Sequence, residues 1–448
     1  MNRKTHWLII SLLLVASMLL AACGTPATQA PQATQPAEGQ PAATSAPAEM
    51  VTIRWRTRPD NQQEQDVYQK ISDDLSKQLE PQGIKLQYDP APVAGYFDKL
   101  TTEFSAGNAP DVVWVGGANT ADYSSLGVIQ DLMPFVNKDS SFKISDYYEA
   151  PMKELQQDGK LWGLPRDIST LVLYYNKDLF QKYGVDDPAK LAAEGKWNCE
   201  NFERVATELT HEDEKIYGFS MSNWWGLWGW FIYSHGGNMF NADRTACGLT
   251  DPNSQKGLQF MSDLFNKDKV APPPGAEGGV GETEFLSGSI GMFPNGRWMT
   301  PGMRQNAKFN WGVVEMPDCG KKSTWLFWGP YVMSAKTKYP EQAWTVIKAL
   351  TSPEVQAQVA ALGTNIPSNK AQSAVDAFLN SKPPDDNQPF IAGASYAQAE
   401  IPLYTGSWGD IVTSQYQPNV DNILYGKATV EEATKAACDA ANPLFKKP

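Results

Sequence analysis

Hydrophobic and polar residues alternate with changing periods along the chain. Val51, Ile53 and Trp55 alternate with polar residues, which predicts a strand. Apolar residues recur every fourth position over 67–79, which predicts a helix with one apolar face. The apolar run 109–115 predicts a strand buried on both faces. This succession predicts an α/β fold with mixed, mainly parallel sheets and helices on both faces.

Ligands of such sheets bind beyond the carboxyl ends of the strands. The loops that follow Trp55 and Val115 are therefore the first places to look for a site. Both loops are polar, and they contain Arg58 and Asp60, and Asn119 and Asp122, respectively.

Composition narrows the possible functions. The chain has 448 residues, with 50 acidic and 38 basic side chains and a net charge of −12. The acid excess argues against a nucleic-acid partner, because phosphate binding needs clustered Lys and Arg. Only three His are present, which argues against a His-rich metal site, and fifteen Trp require an explanation. The sequence has no phosphate-binding Gly-rich loop and no dinucleotide fingerprint, so we expect no metal site and no cofactor.

The N-terminal segment is typical of an export signal. Two basic residues precede an apolar stretch over 7–20, which is shorter than the roughly 20 residues of a membrane span. The sequence Leu-Ala-Ala-Cys-Gly at 20–24 resembles a bacterial lipobox. We expect a signal peptide over 1–22, a lipidated Cys23 and a Pro/Ala/Thr-rich tether over 23–50. The protein would be exported and anchored by lipid to the outer face of the cell membrane, which is the periplasmic side where an outer membrane exists. The alternative is a free Cys23 behind an ordinary signal peptide.

Several short segments together carry a family resemblance. They are 108–113 (NAPDVV), 159–165 (GKLWGLP), 173–180 (LYYNKDLF), 285–292 (FLSGSIGM), 295–298 (NGRW), 340–344 with 351–354 (PEQAW, TSPE), and 426–433 (GKATVEEA). In this order they resemble motifs of family 1 extracellular solute-binding proteins, the capture subunits of ABC importers for sugars. Each motif is weak alone, but the ordered set is specific.

The resemblance implies a two-lobe periplasmic-binding-protein fold of type II, with a hinge between the lobes and the ligand in the cleft. The first lobe would contain 51–166 plus 332–368, and the second 168–330 plus 370–448. The hinge crossovers would lie near 165–167 and 328–331. Four Cys besides Cys23 allow three pairings, and we expect Cys199–Cys247 because both residues fall in one stretch of the second lobe.

A sugar offers an apolar face to aromatic rings and an edge of hydroxyls to amides, carboxylates and Arg. The resemblance and the loop positions together give eleven candidate ligand residues: Arg58, Asp60, Asn119, Asp122, Asp167, Trp224, Trp225, Arg297, Trp298, Trp328 and Trp408. The Trp residues could instead be core, Asp167 a salt-bridged hinge residue, and Arg297, where the family motif has Pro, a solvated side chain. Arg166 is a lesser candidate. Other Trp residues are expected in the core: Trp55, Trp114, Trp162, Trp228, Trp230, Trp311 and Trp344.

The expected function is capture of a sugar or oligosaccharide and its delivery to the transmembrane subunits of an ABC permease, by a monomer without catalytic residues. One alternative is a non-sugar ligand of the same fold, such as a glycerophosphodiester, uronate or polyamine. The other is an exported carbohydrate-active enzyme, although the chain has no Gly-x-Ser-x-Gly or His-Glu-x-x-His motif.

Overall fold

A computed structural model describes residues 50–92, 94–272 and 282–446. The predicted signal peptide, Cys23 and all of the predicted tether except Met50 lie outside these ranges. No helix within them is both long and apolar enough to cross a membrane.

The larger sheet has seven strands. Six follow the order β12-β6-β11-β3-β1-β2, and β13 pairs with β11. Their bounds are β1 Val51–Arg56, β2 Ile84–Tyr88, β3 Val112–Trp114, β6 Leu164–Thr170, β11 Trp325–Met333, β12 Ile366–Pro367 and β13 Gln398–Ala399. Pairing is parallel between β1 and its neighbours β2 and β3, and between β11 and β13, whereas β6 and β11 pair antiparallel.

The smaller sheet has the strand order β10-β7-β9-β8. Its strands are β7 Val172–Asn176, β8 Tyr217–Phe219, β9 Ile290–Asn295 and β10 Trp311–Glu315, and a separate hairpin joins β4 Gln156–Gln157 to β5 Lys160–Leu161. Alternate residues of β7 enter different cores: Val172 and Tyr174 join the core of the larger sheet, whereas Leu173 and Tyr175 join a second core. The smaller sheet is thus buried on both faces.

Helices cover both sheets. The α-helices are α1 Gln62–Leu79, α2 Tyr96–Ala106, α3 Thr120–Ser125, α4 Met133–Lys138, α5 Glu149–Leu155, α6 Lys177–Tyr183, α7 Pro188–Ala193, α8 Cys199–Glu208, α9 Trp225–Ser234, α10 Pro252–Asn266, α11 Glu282–Leu286, α12 Thr300–Asn306, α13 Pro340–Leu350, α14 Pro353–Leu362, α15 Gln372–Leu379, α16 Gln388–Ala394, α17 Gln417–Leu424 and α18 Val430–Ala441. A 3-10 turn covers Arg297–Met299, and a π-helix covers Gly409–Tyr416.

Local sequence explains where these helices begin and end. Asn61 precedes α1, and its side chain accepts a hydrogen bond from the Glu64 N–H at 2.9 Å, which satisfies a free helical donor. Gly107 ends α2 with a φ of +72°, a left-handed conformation that glycine adopts at no steric cost.

The α/β class, the mixed sheets and the two-lobe fold are confirmed. The expected predominance of parallel pairing is wrong, because the long strands β6 and β11 bring antiparallel neighbours into the larger sheet and β7 brings them into the smaller one. Both predicted crossovers lie on β6 and β11, which pair with each other around an irregularity at Gly329/Pro330. The proposed lobe boundaries remain a prediction.

The predicted disulfide Cys199–Cys247 is wrong. The pairs are Cys199–Cys319 and Cys247–Cys438, with Cα atoms 4.8 and 5.2 Å apart. Cys199 begins α8, and its N–H donates to the Asp318 carbonyl, which brings Cys319 beside it. The Cys247 N–H donates to Asn442 Oδ1 just beyond α18, the helix that carries Cys438. Nearness in sequence was therefore a poor guide to the pairing.

Candidate ligand-binding site

A cavity of about 310 Å³ lies beside the paired strands β6 and β11. This volume is at the lower end of the range of small-molecule sites, about 300–1,000 Å³. Its lining combines aromatic, charged and small residues: Arg58, Asp60, Phe97, Trp114, Gly116, Asn119, Arg166, Asp167, Ser169, Trp224, Trp225, Trp298, Phe327, Trp328, Gly329, Asn365 and Glu400.

One side of the cavity, which we call the aromatic wall, consists of Trp224, Trp225, Trp298 and Phe327. The rings fix one another: the centroid of Phe327 lies 5.2 Å from that of Trp224, 5.6 Å from that of Trp225 and 5.4 Å from that of Trp298. The three Trp side chains are only partly buried, whereas Phe327 lies deeper. The wall therefore offers a preformed apolar surface that a ligand can cover.

Glycines make room for these rings. A Cβ atom on Gly226 would lie 2.4 Å from the ring of Trp224, and one on Gly296 would lie 2.2 Å from the ring of Trp298. No side chain fits at either position without moving the ring. Close packing against these rings thus explains glycine at both positions.

A second group of lining residues, which we call the polar wall, consists of Arg58, Asp60, Asn119, Arg166 and Asp167. Arg58 forms an ion pair with Asp60 at 3.1 Å. Arg166 Nε donates to Asp167 at 2.5 Å, and its Nη1 donates to the Thr57 hydroxyl at 2.8 Å. Both guanidinium groups also lie over the Trp114 ring, 5.0 and 4.9 Å from its centroid. Four of these five side chains are thus held by contacts with other residues of the protein.

Two carboxyl groups at the cavity are perturbed by burial. Burial raises the pKa of Asp167, and the adjacent Arg166 opposes this rise. Burial also raises the pKa of Glu400 to about 7, although its carboxylate accepts hydrogen bonds from backbone N–H groups, including that of Ala118 at 2.9 Å. Because this pKa lies near neutral pH, the Glu400 carboxyl can hold a proton there and donate a hydrogen bond, or release it and accept one.

Eight of the eleven candidates line this cavity: Arg58, Asp60, Asn119, Asp167, Trp224, Trp225, Trp298 and Trp328. These eight residues come from distant parts of the chain. The pairing of β6 with β11 brings together the segments that carry them. Contact of each with a ligand stays a prediction.

The other three candidates lie away from the lining. Trp408 packs behind Trp225, with ring centroids 4.8 Å apart, and is 3% exposed. Asp122 accepts a hydrogen bond from the Trp408 backbone N–H at 3.4 Å. Asp122 lies on α3, which begins one residue after Asn119, but only Asn119 belongs to the lining.

Arg297 is fully buried, so the expectation that it contacts ligand is wrong. Its guanidinium carbon lies 4.7 Å from the Phe378 ring centroid and 4.8 Å from that of Phe390. Burial lowers the pKa of this Arg to about 9, which still leaves it charged near neutral pH. Its side chain points into the core while the next residue, Trp298, faces the cavity.

Sequence reasoning missed several lining residues: Phe97, Trp114, Gly116, Ser169, Phe327, Gly329, Asn365 and Glu400. Trp114 was expected in the core, and it is both largely buried and part of the lining. Glu400 had a usable signal, because it is a lone carboxylate beside the apolar segment 401–403. Phe327 had none, because β11 is buried on both faces and its sequence does not distinguish them.

One group of potential metal ligands occurs among the described residues. The donor atoms of Cys199, His235 and Cys319 lie within 4.8 Å of one another. Both sulfur atoms belong to one disulfide, so they are not thiolate ligands in this form.

The amino-acid sequence is similar to those of known binding proteins. A putative binding protein of Brucella abortus is 24% identical over 387 residues, which is 83% of this chain and 88% of that protein. The maltooligosaccharide ABC transporter solute-binding lipoprotein of Streptococcus pneumoniae is 23% identical over 317 residues, 67% of this chain and 70% of its own.

A solved structure has the same fold. The ABC substrate-binding protein from Listeria monocytogenes in complex with cycloalternan aligns with a TM-score of 0.80 and 24% identity, over 88% of this chain and 99% of that one. The family described as bacterial extracellular solute-binding protein matches residues 72–383, well over half of the chain. This protein therefore belongs to the bacterial extracellular solute-binding protein family.

Proposed function

We propose that the cavity binds a sugar or oligosaccharide and that the protein passes it to an ABC permease. The observation that carries the proposal is the pairing of two surfaces around one cavity: rings suited to the C–H face of a sugar, and charged and amide groups suited to its hydroxyls. The Streptococcus relative, named as a maltooligosaccharide-binding component, supports this assignment.

The charges of the lining favour a neutral ligand over an anionic or polycationic one. Two cations, Arg58 and Arg166, face three carboxyl groups, Asp60, Asp167 and Glu400. Each Arg already pairs with one Asp, and the remaining Glu400 holds a proton part of the time near neutral pH. Among the lining residues that the structure describes, no unpaired cation is left for a phosphodiester or uronate, and no cluster of free carboxylates is left for a polyamine.

The mechanism needs binding rather than bond-breaking. The predicted first lobe supplies Arg58, Asp60 and Asn119, and the predicted second lobe supplies the aromatic wall. A ligand that contacts both groups favours the arrangement in which they face each other, because only that arrangement makes all the contacts. We propose that the permease recognises this ligand-stabilised arrangement.

We also propose that the protein is a monomer with a lipid anchor. Lipidation of Cys23 would hold the protein at the membrane, and residues 24–50 would space the binding lobes from it. The Streptococcus relative is named a lipoprotein, which supports the anchor. A monomer suffices, because one chain lines the whole cavity.

A ligand panel tests the proposal. Isothermal calorimetry and thermal shift would compare neutral oligosaccharides, uronates, glycerophosphodiesters and polyamines at matched ionic strength. We expect binding and a rise in Tm with a neutral saccharide alone. Binding of only a charged class would overturn the neutral-sugar assignment, and turnover of a bound glycan would overturn the assignment as a binding protein.

A further inference from the structure

Arg297 is a buried cation without an acidic partner. Within the described residues no carboxylate pairs with it, and its Nε has no hydrogen-bond partner. Its fork instead donates to neutral groups, through Nη1 to Asn387 Oδ1 at 2.5 Å and Nη2 to the Ser381 carbonyl at 3.4 Å. The rings of Phe378 and Phe390 supply cation–π contacts. A charge placed this way costs desolvation energy that an apolar side chain would avoid.

The backbone of Arg297 connects this buried anchor with the cavity. Its N–H donates to the Ser169 hydroxyl at 2.9 Å, and Ser169 belongs to the lining. The neighbours Gly296 and Trp298 belong to the same turn, with the Trp298 ring folded over Gly296. The turn is therefore fixed at two points, by a backbone bond to β6 and by a planar side chain inserted between α15 and α16.

We infer that Arg297 is a positioning residue that fixes the orientation of the Trp298 ring in the aromatic wall. Two nitrogen atoms of the planar guanidinium group form hydrogen bonds, and two aromatic rings lie near the group. These contacts restrict rotation of the turn more than the flexible ammonium group of Lys or the thioether of Met would. The consequence for affinity rests on the proposed function, since it requires Trp298 to contact the ligand.

A matched control is available in Arg304. This residue lies on α12, and it holds the same segment through the Pro383 carbonyl at 2.7 Å, the Ser381 hydroxyl at 2.7 Å and the Leu362 carbonyl at 2.8 Å. It is not part of the turn that carries Trp298. Arg297→Met and Arg304→Met therefore both remove hydrogen bonds to the segment around Ser381. Only Arg297→Met also removes the side chain that holds the turn.

The experiment uses the protein labelled with 5-fluorotryptophan and 19F NMR, with the Trp298 resonance assigned by its loss in Trp298→Phe. We expect Arg297→Met to shift or broaden this resonance, Arg297→Lys to do so less, and Arg304→Met to leave it unchanged. An unshifted resonance in Arg297→Met, or an equal shift in Arg304→Met, would overturn the inference. If Arg297→Met does not fold, Arg297→Lys provides the same comparison.

Affinity for the saccharide found in the panel gives a second readout. We expect Arg297→Met to weaken binding roughly tenfold, the effect of a moderate contact, with Arg304→Met unchanged. If the wild-type protein binds no saccharide, the proposed function fails, whereas the Trp298 resonance still decides the role of Arg297. A shifted resonance with unchanged affinity would remove Trp298 from the ligand contacts.

Discussion

The polar wall and the aromatic wall of the cavity are held by different forces. The polar wall depends on charge pairing, above all on Arg166 and Asp167, which are 9% and 7% exposed. The aromatic wall depends on rings in contact with other rings, and its three Trp residues keep part of their surface free. Changes in the buried polar wall should therefore reduce stability first, whereas changes in the aromatic wall should reduce affinity first.

Both walls depend on one structural element, the pairing of β6 with β11. Asp167 lies opposite Gly329, and Ile168 lies opposite Trp328. A Cβ atom on Gly329 would lie 2.2 Å from Trp114 Nε1, so this position needs glycine for the strand to pass the ring. The register of two strands thus fixes how the charged groups face the rings.

The strongest test of the polar wall is Arg166→Met. This change leaves Asp167 buried without its cation, and we expect a loss of about 3–5 kcal/mol in the free energy of unfolding. Urea denaturation measures it, with Arg54→Met as the control, because Arg54 is 41% exposed where it pairs with Asp89. A loss below about 1 kcal/mol would show that the buried pair does not support this wall.

A second test uses pH and Glu400→Gln. Because burial raises the pKa of Glu400 from 4.5 to about 7, the folded protein retains a proton that the unfolded chain releases. Wild-type stability should therefore fall as pH rises from about 5 to 7 and level off above that. The glutamine variant lacks this loss, so it should gain on the order of 2–3 kcal/mol relative to wild type between pH 5 and pH 8.

Thermal unfolding across this pH range provides the measurement. Glu64 and Asp122, whose pKa values burial raises to about 7 and about 6, are present in both proteins and cancel in the comparison. A stability difference that stays constant between pH 5 and pH 8 would contradict the proposed protonation of Glu400.

The two walls also differed in how far the sequence predicted them. Loop polarity after β1 and β3 pointed to Arg58, Asp60 and Asn119, which line the cavity, and their contact with a ligand stays a prediction. The Trp-rich segment also indicated where rings cluster. The assignment of Trp228 to the core and of Trp225 to the ligand candidates agrees with the structure, where Trp228 is fully buried and Trp225 lines the cavity.

Arg297 shows a limit of a different kind. A charged residue next to a predicted ligand-binding Trp reads as a ligand contact. In the structure, successive side chains of the short turn point in different directions, and the rings of Phe378 and Phe390, about 80–90 residues later, receive the guanidinium group. Sequence pattern gives the alternation of strands and helices well, but it does not give such long-range packing.

The aromatic wall is tested by Trp298→Ala. The ring is partly exposed, so its removal should alter affinity more than stability, and we expect binding to weaken by about 1–3 kcal/mol. Calorimetry measures the effect with the saccharide found in the panel. Trp162→Ala is the control, since Trp162 is also partly buried but lies outside the lining. Equal affinity in wild type and Trp298→Ala would exclude this ring from the site.

The smallest stability effect is expected from Asp60→Asn, on the exposed edge of the polar wall. Asp60 and Arg58 are each 26% exposed, and such pairs contribute about 0.2–1 kcal/mol. Asp74→Asn, which breaks an exposed ion pair with Lys70 on α1, is the control. If Asp60 accepts a hydrogen bond from the ligand, its variant loses affinity while both variants unfold at nearly the same urea concentration. If both variants bind the saccharide as tightly as wild type, Asp60 lies beside the cavity but does not contact the ligand. The polar wall would then consist of buried residues that support the fold and an exposed edge that has no role in binding.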